Sequence, residues 1–170
     1  MSSTKTKILI ADDNSTNVEL LEVYLNGLDC EIAVAADGRE TLEKVAAFEP
    51  DLILLDIMMP KLSGFEVCKQ LKGDPRTRKI MILMITALNE LGDIERAVNA
   101  GTDDFLSKPV NKVELLKRVD NMLKLRHVSD EVERLRRYIE QMEDADGPPA
   151  ASPRRHGDTE TIRKGKETIE

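Results

Sequence analysis

"DLILLDIMMPKLSGFEV" (51–67) decides the fold. Leu52 to Leu55 form an apolar run without alternation, the pattern of a strand buried on both faces. The run ends on Asp56. Burial disfavours a charged carboxylate, so Asp56 is expected at the mouth of the sheet rather than inside it. Upstream, "KILIA" (7–11) ends at Asp12 and Asp13, and "EIAVAA" (31–36) ends at the turn pair Asp37-Gly38. Downstream, "KIMILMIT" (79–86) ends on Thr86, and the weaker run "DDFLS" (103–107) is followed by Lys108.

Helical patterns fill the gaps. Asn14 or Ser15 caps the first, with Val18, Leu21 and Leu25 at helical spacing. "RETLEKVAAF" (39–48) stops before Pro50, and "GFEVCKQLK" (64–72) is closed by Gly-Asp-Pro. "ELGDIERAVNAG" (90–101) places Gly101 in a C-terminal capping position. A long helical pattern runs from 111 to about 144. The alternation predicts an α/β fold, a parallel sheet with helices on both faces and an extended C-terminal helix. Right-handed crossovers leave the doubly wound order 2-1-3-4-5 as the leading topology. Strands 1 and 3 are then neighbours at the switch point, where ligands bind beyond the carboxyl ends of the strands.

The strand ends therefore converge. Strand 1 delivers Asp12 and Asp13, strand 3 Asp56, strand 4 Thr86, and Lys108 follows strand 5. Three close carboxylates repel one another unless a cation neutralises them. Hard oxygen donors favour Mg²⁺. Asp13, Asp56 and a loop carbonyl are candidate ligands, and Asp12 is placed to hold a metal-bound water. Lys108 is a point charge suited to phosphate, and the Thr86 hydroxyl suits a phosphoryl oxygen. A carboxylate beside Mg²⁺ and lysine is a competent nucleophile for forming an acyl phosphate. Singly, each residue has a plainer reading as cap, turn, strand or solvated group; five at one rim point to a site.

The totals exclude several classes. A net charge of −7 argues against general affinity for nucleic acid or anionic membranes. No apolar stretch is long enough to insert in a bilayer, and the N-terminal apolar run is broken by two acids, unlike a signal peptide. Cys30 and Cys68 lack metal-type spacing and read as small buried hydrophobes rather than a disulfide. Met81 and Met84 fit ordinary core, and Met59 is expected partly exposed near the site. His127 and His156 read as solvated. A cytoplasmic setting is expected.

The segments "ILIADDN", "DLILLDIMMPKLSGFEV", "MITA" and "AGTDDFLSKPV" resemble the receiver domain of two-component response regulators, in that family's order and spacing. The resemblance covers about residues 7–123. It implies that Asp56 is the phosphoacceptor, that Asp12 and Asp13 are the acidic pair, and that the Met58 carbonyl completes the Mg²⁺ ligands. It also implies that Thr86 is the switch hydroxyl, Lys108 the phosphoryl-binding lysine, Phe105 the switch aromatic, and Pro109 the residue after a cis bond. The implied donor is a sensor histidine kinase or phosphotransfer protein, and the output is an unidentified downstream protein. Such a protein transfers a phosphoryl group onto itself and does not turn over a separate substrate. A haloacid-dehalogenase-like phosphatase is disfavoured, because the DxDx motif is absent at Asp56, where the chain reads "DIMMP". A non-catalytic receiver-like scaffold, or the receiver of a longer regulator, is the alternative.

The expected organisation is a receiver over 1–124, an extended helix over 125–144 and a disordered tail over 145–170, rich in Pro, Gly and alternating charge. A heptad starts at Leu125. Leu125, Val132 and Ile139 take position a; Val128, Leu135 and Met142 take position d. β-branched residues at a with Leu135 at d predict a short parallel coiled coil and a homodimer, with Glu131 facing Arg136 of the second copy.

Overall fold

The computed structural model describes residues 5–87 and 91–145. Among the described residues ten elements alternate. The strands are β1 (Thr6–Ala11), β2 (Cys30–Ala35), β3 (Leu52–Leu55), β4 (Met81–Thr86) and β5 (Asp104–Ser107). The helices are α1 (Ser15–Leu25), α2 (Gly38–Phe48), α3 (Gly64–Gly73), α4 (Leu91–Ala100) and α5 (Lys112–Ala145). The sheet is wholly parallel in the order β2-β1-β3-β4-β5, as the alternation implies.

The inner strands β1, β3 and β4 are buried on both faces over most of their length, β2 and β5 only in part, and the side chains alternate between two cores. Leu9, Ala11, Ile53, Leu55, Ile82 and Met84 join Val67, Cys68, Leu71 and Ala97 on one side. Ile8, Ile10, Leu52, Leu54, Leu83 and Ile85 join Val18, Leu21, Leu25, Leu115 and Val119 on the other. The period of two in the strands and the helical spacing of α1 and α5 are the cause of this division. Parallel register aligns Ala11 with Leu55, and Leu55 with Met84. The residues just past these strand ends are thereby brought to one rim.

The caps are local. Asn14, not Ser15, caps α1, its side chain accepting from the backbone N–H groups of Thr16 and Asn17. Ser63 and Glu66 form a reciprocal capping box on α3. Gly101 follows α4 with φ of +89°, the left-handed conformation expected of that capping position.

Two strands begin later than their apolar runs. β4 starts at Met81 rather than Lys79, because Ile80 donates its N–H to the Thr77 carbonyl in a turn. β5 starts at Asp104, and just before it Asp103 already joins β4 through backbone and side chain: its N–H donates to the Ile82 carbonyl at 3.1 Å and its carboxylate accepts Ile82 N–H at 2.7 Å. Cys68 is buried, but Cys30 is only half-buried, because β2 lies at the sheet edge; the two thiols are free. Met81 packs against the core, as an ordinary core residue would, but is half-buried at the start of its strand. Met84 is buried in the core, and Met59 is half-buried against it.

The chain divides into two compact units after Val128. In the first, α5 buries Leu115, Val119 and Met122. In the second, Val132, Leu135, Ile139 and Met142 of the same helix are exposed. His127 is exposed, whereas His156 and residues 146–170 of the expected tail lie outside the described residues. Among the described residues no helix is long and apolar enough to cross a membrane.

Candidate functional site

β1 and β3 end side by side, and the sheet bonds continue one residue further. Asp12 N–H donates to the Ala35 carbonyl at 3.0 Å, and Asp56 N–H to the Ala11 carbonyl at 2.9 Å. Both carboxylates are thus held by backbone that is almost strand. Asp56 is only 6% exposed and Asp12 only 4%, while Asp13 is exposed. Asp56 does sit past the strand end, but it is covered there, more than a residue at an open mouth would be. Carboxylate oxygens of Asp12, Asp13 and Asp56 all lie within 4.8 Å of one another.

Lys108 enters from the far side. Its backbone N–H donates to the Thr86 carbonyl at 3.0 Å, which ties the β5–α5 connection to the end of β4. Its Nζ stands 3.5 Å from Asp56 Oδ2 and 3.6 Å from Asp12 Oδ2. The bond from Lys108 to Pro109 is cis. Thr86 is buried beside this group at the end of β4. Phe105 is half-buried and packs on the core that Ile53 and Met84 share. Met58, two residues past Asp56, is 76% exposed, and its N–H donates to Asp56 Oδ1 at 3.4 Å.

The electrostatics are unbalanced. Burial raises the Asp56 pKa above the usual carboxylate value, and the nearby Asp12 raises it further. Lys108 and the Met58 N–H oppose this without cancelling it. Among the described residues one ammonium stands by three carboxylates, so the cluster retains uncompensated negative charge among hard oxygen donors. That donor set fits a small divalent cation that keeps part of its water shell.

Every residue singled out at the strand ends is therefore at this rim, with Phe105 in the adjoining core. By sequence alone, Asp37-Gly38 reads only as a turn pair. In the fold Gly38 N–H donates to the Pro60 carbonyl at 3.3 Å, and Asp37 pairs with Lys61 at 3.2 Å, on the loop that follows Asp56. No local pattern signals this contact, since the partners are far apart in the chain.

The family model of the response regulator receiver domain matches residues 8–120. The chain belongs to this family, and it is a receiver domain of the two-component response regulator type. It is 44% identical over 126 residues to the response regulator PleD of Caulobacter vibrioides, covering 74% of this chain and 28% of that protein. A crystal structure of a response regulator from Chloroflexus aurantiacus is 35% identical, with a TM-score of 0.68, and covers 71% of this chain and 99% of that one. The receiver domain of sensor histidine kinase PA1611 from Pseudomonas aeruginosa, with a magnesium ion coordinated in its active site cleft, is 27% identical; its TM-score is 0.66, covering 71% of this chain and 99% of that one. The chain spans only 28% to 55% of the length of curated relatives it matches.

Proposed function

We propose that Asp56 accepts a phosphoryl group from a phosphohistidine on a sensor histidine kinase or phosphotransfer protein. The observation that carries this reading is the convergence of Asp56, Asp12, Asp13 and Lys108 beyond the strand ends. A carboxylate oxygen of Asp56 attacks phosphorus in line. A P–O bond forms, the P–N bond breaks, and the leaving imidazole takes up a proton. Lys108 sits where it can hold a phosphoryl oxygen, and the Thr86 hydroxyl offers a second donor. Asp13, Asp56 and the Met58 carbonyl would hold Mg²⁺, with Asp12 orienting its water. When bound, Mg²⁺ supplies charge neutralisation for the transferring group. Its presence in the related structure of the Pseudomonas kinase receiver supports the assignment.

Signalling follows from movement of Thr86 toward the phosphoryl group. Phe105 then fills the vacated space, and the surface of α4, β5 and α5 changes for a downstream protein. Pro109 holds the turn that presents Lys108. The reaction is the protein's own phosphorylation and dephosphorylation, carried out in the cytoplasm with the kinase. The receiver is assigned to 1–124 and the linking helix to 125–144, and nucleic acid is not assigned as a direct ligand of the receiver. The short span relative to the curated relatives supports a second reading, in which this receiver serves a longer regulator with an output domain.

The helix after the receiver pairs two copies in parallel. Support comes from the exposed seam at Val132, Leu135, Ile139 and Met142 and from the opposite charges of Glu131 and Arg136. Leu135→Asp is expected to give monomers in sedimentation equilibrium with the receiver still folded. Dimers that persist in this variant would move the contact elsewhere. For the acceptor itself, a small acyl phosphate with Mg²⁺ should add one phosphoryl group that alkali removes. Labelling of Asp56→Asn as full as wild type would reject Asp56.

A further inference from the structure

The loop between β3 and α3 carries Asp56 and Met58 of the candidate site, yet its own hydrogen bonds are few. Met59 N–H donates to Ile57 at 3.1 Å, Leu62 N–H to Pro60 at 2.9 Å, and Gly64 N–H to Ile57 at 2.8 Å. Lys61 adopts a left-handed φ of 70° without being glycine, a conformation that needs outside support. The support comes from the start of α2. Gly38 N–H donates to the Pro60 carbonyl at 3.3 Å. Asp37 uses both oxygens: Oδ1 accepts Glu40 N–H at 2.8 Å as the helix cap, and Oδ2 pairs with Lys61 at 3.2 Å. The Glu40 N–H and Lys61 together hold the Asp37 carboxyl below its ordinary value.

Gly38 is the informative residue. It is the first residue of α2, and its φ is not in the left-handed region. An alanine there would favour the helix by up to about 1 kcal/mol. Space excludes it instead. A Cβ on Gly38 would lie 2.5 Å from Leu62 Cβ and 2.9 Å from the Leu62 carbonyl carbon, and it would overlap the Leu62 oxygen. The other end of the loop is equally tight, since a Cβ on Gly64 would lie 2.7 Å from Ile57 Cα. The loop is clamped between two glycines, one of which belongs to a different βα unit.

We propose that Asp37 and Gly38 are positioning residues that hold the 58–62 loop from the side and so set where the Met58 carbonyl meets the carboxylate cluster. The proposal rests on the phosphoacceptor and metal reading above. Its consequence is that a β2–α2 turn with no chemistry of its own sets metal affinity.

Three full-chain variants test it: Gly38→Ala, Asp37→Asn and the double variant Asp37→Asn with Lys61→Ala. Mg²⁺ is titrated alone, followed by the amide shifts of Asp13, Asp56 and Met58, and thermal unfolding is measured in parallel. Gly38→Ala should keep its helix content and bind Mg²⁺ about tenfold more weakly, the scale seen when partners behind metal ligands are removed. Asp37→Asn keeps a capping side chain, so it should weaken Mg²⁺ only about twofold; the double variant should lose at least as much. A Gly38→Ala protein that is less stable but binds Mg²⁺ like wild type would overturn the proposal, because a merely structural contact lowers stability alone. Where Gly38→Ala does not fold, unchanged affinity in the double variant overturns it equally. Wild type that neither binds Mg²⁺ at these amides nor becomes phosphorylated would instead remove the underlying site reading.

Discussion

Two ion clusters lie at opposite ends of the strands, and they are built to different standards. At the end where β4 and β5 begin, Lys72 Nζ meets Asp103 Oδ2 at 2.7 Å and also donates to the carbonyls of Ile80 at 2.7 Å and Arg78 at 3.0 Å. All three ammonium protons have acceptors. Asp103 in turn accepts Ile82 N–H at 2.7 Å. At the opposite end, Lys108 reaches two carboxylates only at 3.5 and 3.6 Å and leaves a third acid beside them. The first cluster closes its bonds and joins α3 to β4 and β5. The second keeps charge unbalanced and oxygen lone pairs free, as the proposed binding of a cation and a phosphoryl group requires. Close, saturated charge pairs serve the fold; loose, unsaturated ones are available for chemistry.

Breaking the open cluster should have the largest effect on function and a favourable one on stability. Asp56→Asn should abolish acyl-phosphate labelling. The raised Asp56 pKa means that the folded chain holds this proton to higher pH than the unfolded chain. The group therefore imposes no penalty on folding below the ordinary aspartate range, and the penalty grows as pH rises through the raised value. Without Mg²⁺, urea melts should match for Asp56→Asn and wild type in acid and favour the mutant at neutral pH. A mutant less stable than wild type at neutral pH would mean that Lys108 dominates Asp12 and burial.

Breaking the closed cluster should do the reverse. Asp103→Ala leaves Ile82 N–H and Lys72 without their carboxylate and should cost about 2 kcal/mol in urea unfolding. Its initial phosphorylation rate should equal wild type when both are folded. A matching fall in rate would show that the two ends are coupled.

A smaller effect concerns the hydroxyl beside the open cluster. Thr86→Ala should still be phosphorylated, but the phosphorylation-linked shift of Phe105 should lose about 1 kcal/mol of coupling. Amide shifts across α4, β5 and α5, with and without a phosphoryl analogue, measure this. Shifts equal to those of wild type would exclude Thr86 from the switch.

The finest probe is a thiol beside the closed cluster. Burial pushes the Cys68 thiol up to about 12, a shift that Lys72 reduces and Asp103 increases. The thiol also donates to the Ala100 carbonyl at 3.3 Å. A maleimide at mildly alkaline pH should therefore label Cys30 first and Cys68 only on opening. Asp103→Ala should speed Cys68 labelling in proportion to its lost stability. Equal labelling of both thiols in the native wild type would show that this end is not closed.

Strand and helix order, sheet topology and the residues of the rim were legible in the chain because each rests on a local period or a strand end. Unbroken runs such as "LILL" mark strands covered on both faces, and apolar spacing in α1 marks its buried stripe. In a parallel sheet all such runs point one way, so Asp12, Asp56, Thr86 and Lys108 had to arrive at one rim. Only the tertiary structure decided how well each charge is compensated and what holds the loop after Asp56. Lys72 with Asp103, Lys108 with Asp56 and Gly38 with Pro60 are pairs distant in sequence. Their distances follow from how helices pack on the two faces of the sheet. Residue identity and spacing specify which groups reach an end of the sheet, but a difference of under 1 Å separates a closed ion pair from an open one, and packing alone sets distances on that scale.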